Sequence, residues 1–142
     1  MEQKEIIQTN IEIAANGFAS AFPTFQDKIE LLKKVRKDRN FAKNSEQSVV
    51  IYKAIRLLGQ NAEEIQNRRV QQRILSELVV FIQSKPDREN LVKFFEEKEL
   101  LFNIFCLMVI HFNDEALSER ERQAHSFMLP NFMLAVDKLT QN

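Results

Sequence analysis

The stretch that decides the fold is LLFNIFCLMVIHF, residues 100–112, in which Asn103 and His111 alone interrupt a run of apolar side chains. A helix built from this run is apolar on nearly every side and has no face to present to water. Other elements must therefore surround it. The run has about 13 residues, whereas a bilayer span needs roughly 17 to 25. We predict a buried central helix here and no membrane segment.

The residues on either side of this run predict further helices. Apolar side chains recur at steps of three and four, the spacing of an amphipathic helix, and Pro23, Pro86 and Pro130 separate the segments. These signals predict helices over about 3–21, 25–40, 45–58, 61–83, 115–128 and 130–139. Thr24 and Asp87 are expected to cap the helices that follow them. Whether 88–112 forms one bent helix or two is left open by the pattern.

The composition supports the same fold class. The chain has 142 residues, of which 44% are hydrophobic and 28% charged, as in an ordinary folded domain. It contains 2 glycines and 3 prolines, too few for the many tight turns of a β-sandwich or barrel. We therefore predict an all-α fold in a single domain, 1–142: a compact bundle of six to seven helices around the central hydrophobic helix.

The residues that usually hold metals and cofactors are sparse. The two glycines exclude a Gly-rich phosphate loop, and Met108 and Arg122 stand where a Glu-x-x-His di-iron pair would need glutamate. Cys106 is the one cysteine, so no internal disulfide can form, and the N-terminus lacks the pattern of a secretion signal. We expect no cofactor and no metal, and a cytoplasmic location.

Positive charge is concentrated in the middle of the chain. The total is balanced, with 20 basic and 20 acidic side chains, but residues 28–73 hold 12 basic and 5 acidic ones, a net +7. A local basic face can bind an acidic protein or phosphates, or can simply be solvated. Phe41 and Tyr52 are the aromatic residues of this region, which leaves little for stacking on bases. The candidate binding residues are Lys33, Lys34, Lys37, Lys53, Arg56, Arg68, Arg69 and Arg73.

One short pattern matches a known catalytic arrangement. Arg120 and His125 are separated by four residues, an R-x-x-x-x-H spacing that resembles the signature of the HEPN family of small all-helical ribonucleases. The resemblance implies that these two side chains act at the 2′-hydroxyl and scissile phosphate of RNA across a dimer interface. The alternative is a solvated helix on which Glu121 and His125 pair one turn apart.

The sequence therefore favours binding over catalysis. Our hypothesis is a non-enzymatic intracellular binding or regulatory subunit that contacts a protein partner, or a protein–nucleic acid assembly, partly through the basic face. The alternative hypothesis is an RNA-cleaving enzyme that uses Arg120 and His125.

Overall fold

The chain folds into helices throughout the part that the structure describes. The computed structural model describes residues 10–41, 46–59, 65–113, 118–124 and 128–141, without several side chains, chiefly those of 57–59 and 65–71. These residues contain no strand. They form seven helices of at least ten residues and one short helix. The predicted all-α bundle is therefore confirmed. The helices are α1 (Asn10–Ala21), α2 (Phe25–Lys37), α3 (Ser48–Gly59), α4 (Ile65–Gln83), α5 (Arg88–Glu97), α6 (Glu99–Phe112), α7 (Glu119–Ala124) and α8 (Leu129–Thr140).

Helix α6 lies at the centre of the bundle, as the apolar run predicts. It packs against α1, α2, α3, α4, α5 and α8. All of its residues from Leu101 to Phe112 are buried apart from Met108 and His111, which are half-buried. Each large apolar side chain removed from water in this way contributes about 1.5–3 kcal/mol, so α6 and its neighbours account for most of the hydrophobic stabilisation.

A row of phenylalanine rings links the central helix to its neighbours. The Phe95 ring of α5 lies 4.6 Å from the Phe102 ring of α6, centroid to centroid, and 5.0 Å from the Phe105 ring. Phe105 in turn stacks on Phe132 of α8 at 5.4 Å. Aromatic pairs at these separations are favourable beyond their buried area. The row therefore holds α5, α6 and α8 in a fixed arrangement.

The helix starts follow the capping residues seen in the sequence. The Thr24 hydroxyl accepts a hydrogen bond from the Asp27 amide at 2.9 Å, and the Asp27 carboxylate accepts one from the Thr24 amide at 3.2 Å. This reciprocal pair satisfies two amides at the start of α2. Asp87 likewise accepts a hydrogen bond from the Asn90 amide at 2.9 Å, and Pro130 lies in the first turn of α8. The caps expected at Thr24 and Asp87 are confirmed.

Residues 88–112 form two helices, which answers the question that the pattern left open. Lys98 separates α5 from α6, with φ −124° and ψ 71°, outside the helical region. Its amide still donates to the Phe94 carbonyl, so it closes α5 before α6 starts at the next residue. The two helices pack on each other. The break therefore brings the apolar face of α5 against the central helix.

The N-terminal half forms two separate layers around α6. Helices α1 and α3 pack on each other and both contact α6, whereas α2 packs on α6 and α8. Helix α2 ends at Lys37, three residues before the predicted end, because Asp38 takes an extended conformation. The basic residues of α2 and α3 thus lie on helices that share α6 but otherwise pack on different neighbours.

Candidate functional site

Helix α2 presents three of the predicted binding lysines. Lys33 is half-buried, and its Nζ forms an ion pair at 3.4 Å with the carboxylate of Glu30, about one helical turn earlier. The Nζ of Lys34 lies 5.6 Å from the centroid of the Phe41 ring, at cation–π distance. Lys37 is exposed. Of the three side chains, Lys37 is therefore the most available to a partner.

Two arginines of the same region bind within the protein. Arg36 donates hydrogen bonds to both carboxylate oxygens of Asp137, at 3.0 Å and 3.4 Å, and thereby ties α2 to α8. Arg39 donates from Nε to the backbone oxygen of Asn113 at 2.9 Å, at the end of α6. Part of the positive charge of residues 28–73 therefore serves the fold and is not free to bind a partner.

Helix α3 has a distinct outer face. Val49, Lys53 and Arg56 follow one another at steps of four and three, so they share one side of the helix. All three are exposed, and Val49 keeps 77% of its surface in contact with solvent. Ile51 and Ala54 lie on the opposite side and are buried. We call Val49, Lys53 and Arg56 the α3 outer face.

The remaining predicted residues lie on α4. Arg73 is exposed. Arg68 and Arg69 belong to the first part of α4, whose side chains lie outside the described residues. Of the eight predicted binding residues, those with described side chains are three on α2, two on α3 and one on α4.

The catalytic alternative falls on a part of the chain that is described incompletely. Arg120 is exposed on α7, a helix of six residues. His125 lies outside the described residues. The Arg120–His125 pair therefore stays a prediction.

Cys106 is unsuited to act as a nucleophile. Its side chain is fully buried on α6. Burial raises the pKa of the thiol well above its usual range, and the nearby positive charge of Lys28 offsets part of this effect. The reactive form of cysteine is the thiolate, so this thiol is inert in the folded protein. Among the described residues, no group of three or more His, Cys, Asp and Glu side chains is placed to hold a metal ion.

A cavity between α2, α5 and α6 is lined by a buried lysine, Lys28, which the sequence analysis did not identify as a site residue. The volume of the cavity is about 250 Å³. Lys28 lines it and is only 1% exposed, although lysine is rarely buried without a partner. The residues that line the cavity are Pro23, Phe25, Lys28, Phe95, Glu96, Glu99 and Phe102.

The amine of Lys28 has little to bind within the protein. Its Nζ donates one hydrogen bond, to the Thr24 backbone oxygen at 3.5 Å, the outer limit of such a bond. An ammonium carries three donors, and no carboxylate of the described residues lies within 4.0 Å of this one. Two donors of this buried cation are therefore left without an acceptor among the described residues, and Lys28 is one of the residues that line the cavity.

A sequence signal for Lys28 does exist. At about 100° per residue, Lys28 lies within the arc formed by Phe25, Ile29, Leu32 and Val35, the apolar side of α2, next to Val35. If that side of α2 is interpreted only as core, Lys28 is overlooked; Arg36, a second charged residue within the same arc, is exposed near the end of the helix. A second groove, about 450 Å³ in volume, lies between the end of α4 and α5 and is lined mostly by exposed or half-buried side chains.

Comparisons with known proteins identify no relative of this chain. No protein-family model, no curated protein and no solved structure matches the chain. In the described part of the chain, none of the helices combines the length and apolarity needed to cross a bilayer.

Proposed function

We propose that the protein is a non-enzymatic binding subunit of regulatory type, acting in the cytoplasm, which contacts an acidic partner protein through the α3 outer face. The observation that supports this proposal best is Val49, an aliphatic side chain 77% exposed on the same side of the helix as Lys53 and Arg56. An exposed apolar side chain flanked by charges of one sign can contact the apolar face and the acidic side chains of an amphipathic helix.

The charges of this face favour an acidic partner. Lys53 and Arg56 are exposed and have no ion-pair partner among the described side chains. Carboxylates of a partner would therefore not have to displace an existing pair. Complementary charges raise the rate of association and fix the register of the two surfaces.

A protein fits this face better than a nucleic acid does. Val49 offers an apolar contact that a phosphate backbone does not use. Phe41 and Tyr52 are half-buried and pack against the core, so neither ring is free to stack on a base. Binding to phosphates alone would also leave no role for the exposed valine.

Binding also accords better than catalysis with the described side chains. The inert Cys106 thiol removes one potential nucleophile. Lys37, Lys53, Arg56 and Arg73 are exposed cations on the outside of the bundle, where water screens them and where they suit a contact surface. The proposal rests on these residues and assigns no role to Arg120 and His125.

The test measures the affinity of the 142-residue chain for designed ligands. An amphipathic helical peptide of leucine and glutamate is titrated by fluorescence anisotropy, beside a leucine and glutamine version and a single-stranded RNA, each at two salt concentrations. We expect the acidic peptide to bind, the neutral version to bind at least about tenfold more weakly, and binding to weaken as salt rises.

Variants locate the contact. Val49→Ser removes the apolar contact and Lys53→Glu reverses one charge, so each should weaken peptide binding about tenfold. Lys93→Glu is the matched control, because Lys93 is exposed on α5, outside the α3 outer face. Equal loss in all three variants, or no loss in the first two, would contradict the proposal.

The RNA arm decides between the two hypotheses of the sequence analysis. RNA that binds with a steep salt dependence and is unaffected by Val49→Ser would overturn the protein partner in favour of a phosphate-binding surface. RNA that is cleaved by the protein but not by His125→Ala would overturn the non-enzymatic role.

A further inference from the structure

The cavity beside Lys28 has the character of a ligand site. Burying a charged amine without an ion-pair partner is costly, and methionine or leucine would fill a similar volume without that cost. Lys28 is 1% exposed and uses a single long hydrogen bond. A ligand that accepts hydrogen bonds at the cavity wall would satisfy the two remaining donors.

The walls of the cavity define the body of the ligand. The rings of Phe25 and Phe102 lie 4.8 Å apart, and those of Phe95 and Phe102 lie 4.6 Å apart. All three side chains line the cavity, and because Phe95 and Phe102 are each 1% exposed, the half-buried Phe25 supplies most of the accessible aromatic surface. Such a surface favours an apolar group. The volume of about 250 Å³ limits the ligand to a small molecule.

The charged residues of the cavity define the polar groups that the ligand must carry. Glu96 and Glu99 are exposed side chains that line the same cavity as the buried Lys28. With all three ionised, the site has one positive and two negative charges. A simple carboxylate would add a further negative charge, whereas a simple amine would leave Lys28 without an acceptor. A zwitterion satisfies both, because its carboxylate can approach Lys28 while its ammonium approaches the glutamates.

We propose that this cavity binds a free α-amino acid with an apolar side chain. The carboxylate accepts hydrogen bonds from the Lys28 amine, the ammonium is held by Glu96 and Glu99, and the side chain lies against Phe25, Phe95 and Phe102. The site is separate from the α3 outer face, because α2, α5 and α6 form it. The two proposals can therefore fail independently.

The test is a calorimetric titration of the full-length protein with L-phenylalanine and L-leucine. Three further compounds each lack one element: 3-phenylpropanoate has no ammonium, 2-phenylethylamine has no carboxylate, and glycine has no apolar group. We expect saturable binding of the two apolar amino acids. Each of the other compounds should bind about ten- to hundredfold more weakly, the factor that corresponds to one charged hydrogen bond or one apolar contact.

Variants assign the binding to this cavity. Lys28→Met keeps the aliphatic stem and removes the donors, so it should weaken L-phenylalanine binding about ten- to hundredfold. Glu99→Gln should also weaken it, and because Glu99 is exposed this second variant is expected to fold normally. Lys37→Met is the matched control, since Lys37 lies on the opposite, exposed side of α2 and should leave binding unchanged.

Several outcomes would overturn the inference. Absence of binding at millimolar amino acid would remove the site. Equal affinity for 3-phenylpropanoate would remove the role of the glutamates, and unchanged affinity in Glu99→Gln would do the same. Unchanged affinity in a folded Lys28→Met protein, verified by circular dichroism, would place the ligand elsewhere.

Discussion

Asn103 offers a direct test of the packing around the central helix. It lies on α6, is 4% exposed, and its Oδ1 atom has no hydrogen-bond partner among the described residues. A buried acceptor left without a partner costs about 1–3 kcal/mol. Leucine has nearly the same shape and no polar atom, so Asn103→Leu should recover most of this cost. We expect a gain of about 2 kcal/mol in the free energy of unfolding.

Urea denaturation followed by circular dichroism measures this gain. The midpoint should rise while the slope stays constant, because the surface exposed on unfolding hardly changes. In a thermal melt, about 2 kcal/mol corresponds to a rise of about 6–10 °C for a domain of this size.

The matched control is the asparagine at the other end of the same helix. The Asn113 side chain donates from Nδ2 to the Val35 backbone oxygen at 3.0 Å. Asn113→Leu should therefore lower stability by about 1 kcal/mol, the net value of a typical hydrogen bond. The two substitutions are chemically identical and should have opposite signs. A loss of stability in Asn103→Leu would refute the reasoning, since it would mean that the amide is satisfied in solution.

Two further predictions concern the same helix. Leu107→Ala should lower the free energy of unfolding by about 3–5 kcal/mol because Leu107 is fully buried, whereas Met108→Ala, at a half-buried position, should cost clearly less; equal losses in urea melts would contradict the burial pattern. Cys106 should react with a thiol reagent only as the protein unfolds, because burial raises the pKa of its thiol and blocks access. The reaction is followed by the absorbance of the reagent in native and in urea-unfolded protein. An equally rapid absorbance change in the native protein would show that the thiol is accessible.

The central helix is the feature that the sequence predicts best. A run of apolar residues on all sides, too short to span a bilayer, has one structural solution: burial among other helices. The caps at Thr24 and Asp87 are equally local, since each depends on a side chain and an amide three residues later. Features of this kind can be predicted because the interactions that cause them are close in sequence.

The break between α5 and α6 at Lys98, unlike the caps, has no local signal in the sequence. Neither glycine nor proline marks it, and lysine is a good helix former. The chain leaves the helical conformation there because α5 packs against α6, and this gain exceeds the local preference. Tertiary packing regularly overrides propensity in this way, so the pattern alone could not decide between one helix and two.

The candidate sites show the same limit. Arg36 and Asp137 are 101 residues apart in sequence, so their pairing could not be foreseen from the run of basic residues. The cavity at Lys28 likewise needs residues from α2, α5 and α6. The sequence does place Lys28 on the apolar side of α2, but only the fold shows that a cavity with two glutamates lies beside it.

The position of α6 in the chain has a consequence for biosynthesis. Helices α1 to α5 leave the ribosome before the helix around which they pack, and α8 emerges after it. Until residue 112 is released, side chains such as Leu32 and Phe95 lack the part of the core that α6 supplies. Chains that expose such surfaces during translation are prone to aggregate and are the substrates of chaperones. The core cannot be completed before α6 is available, so a nascent chain that stops short of residue 112 is expected to expose apolar surface.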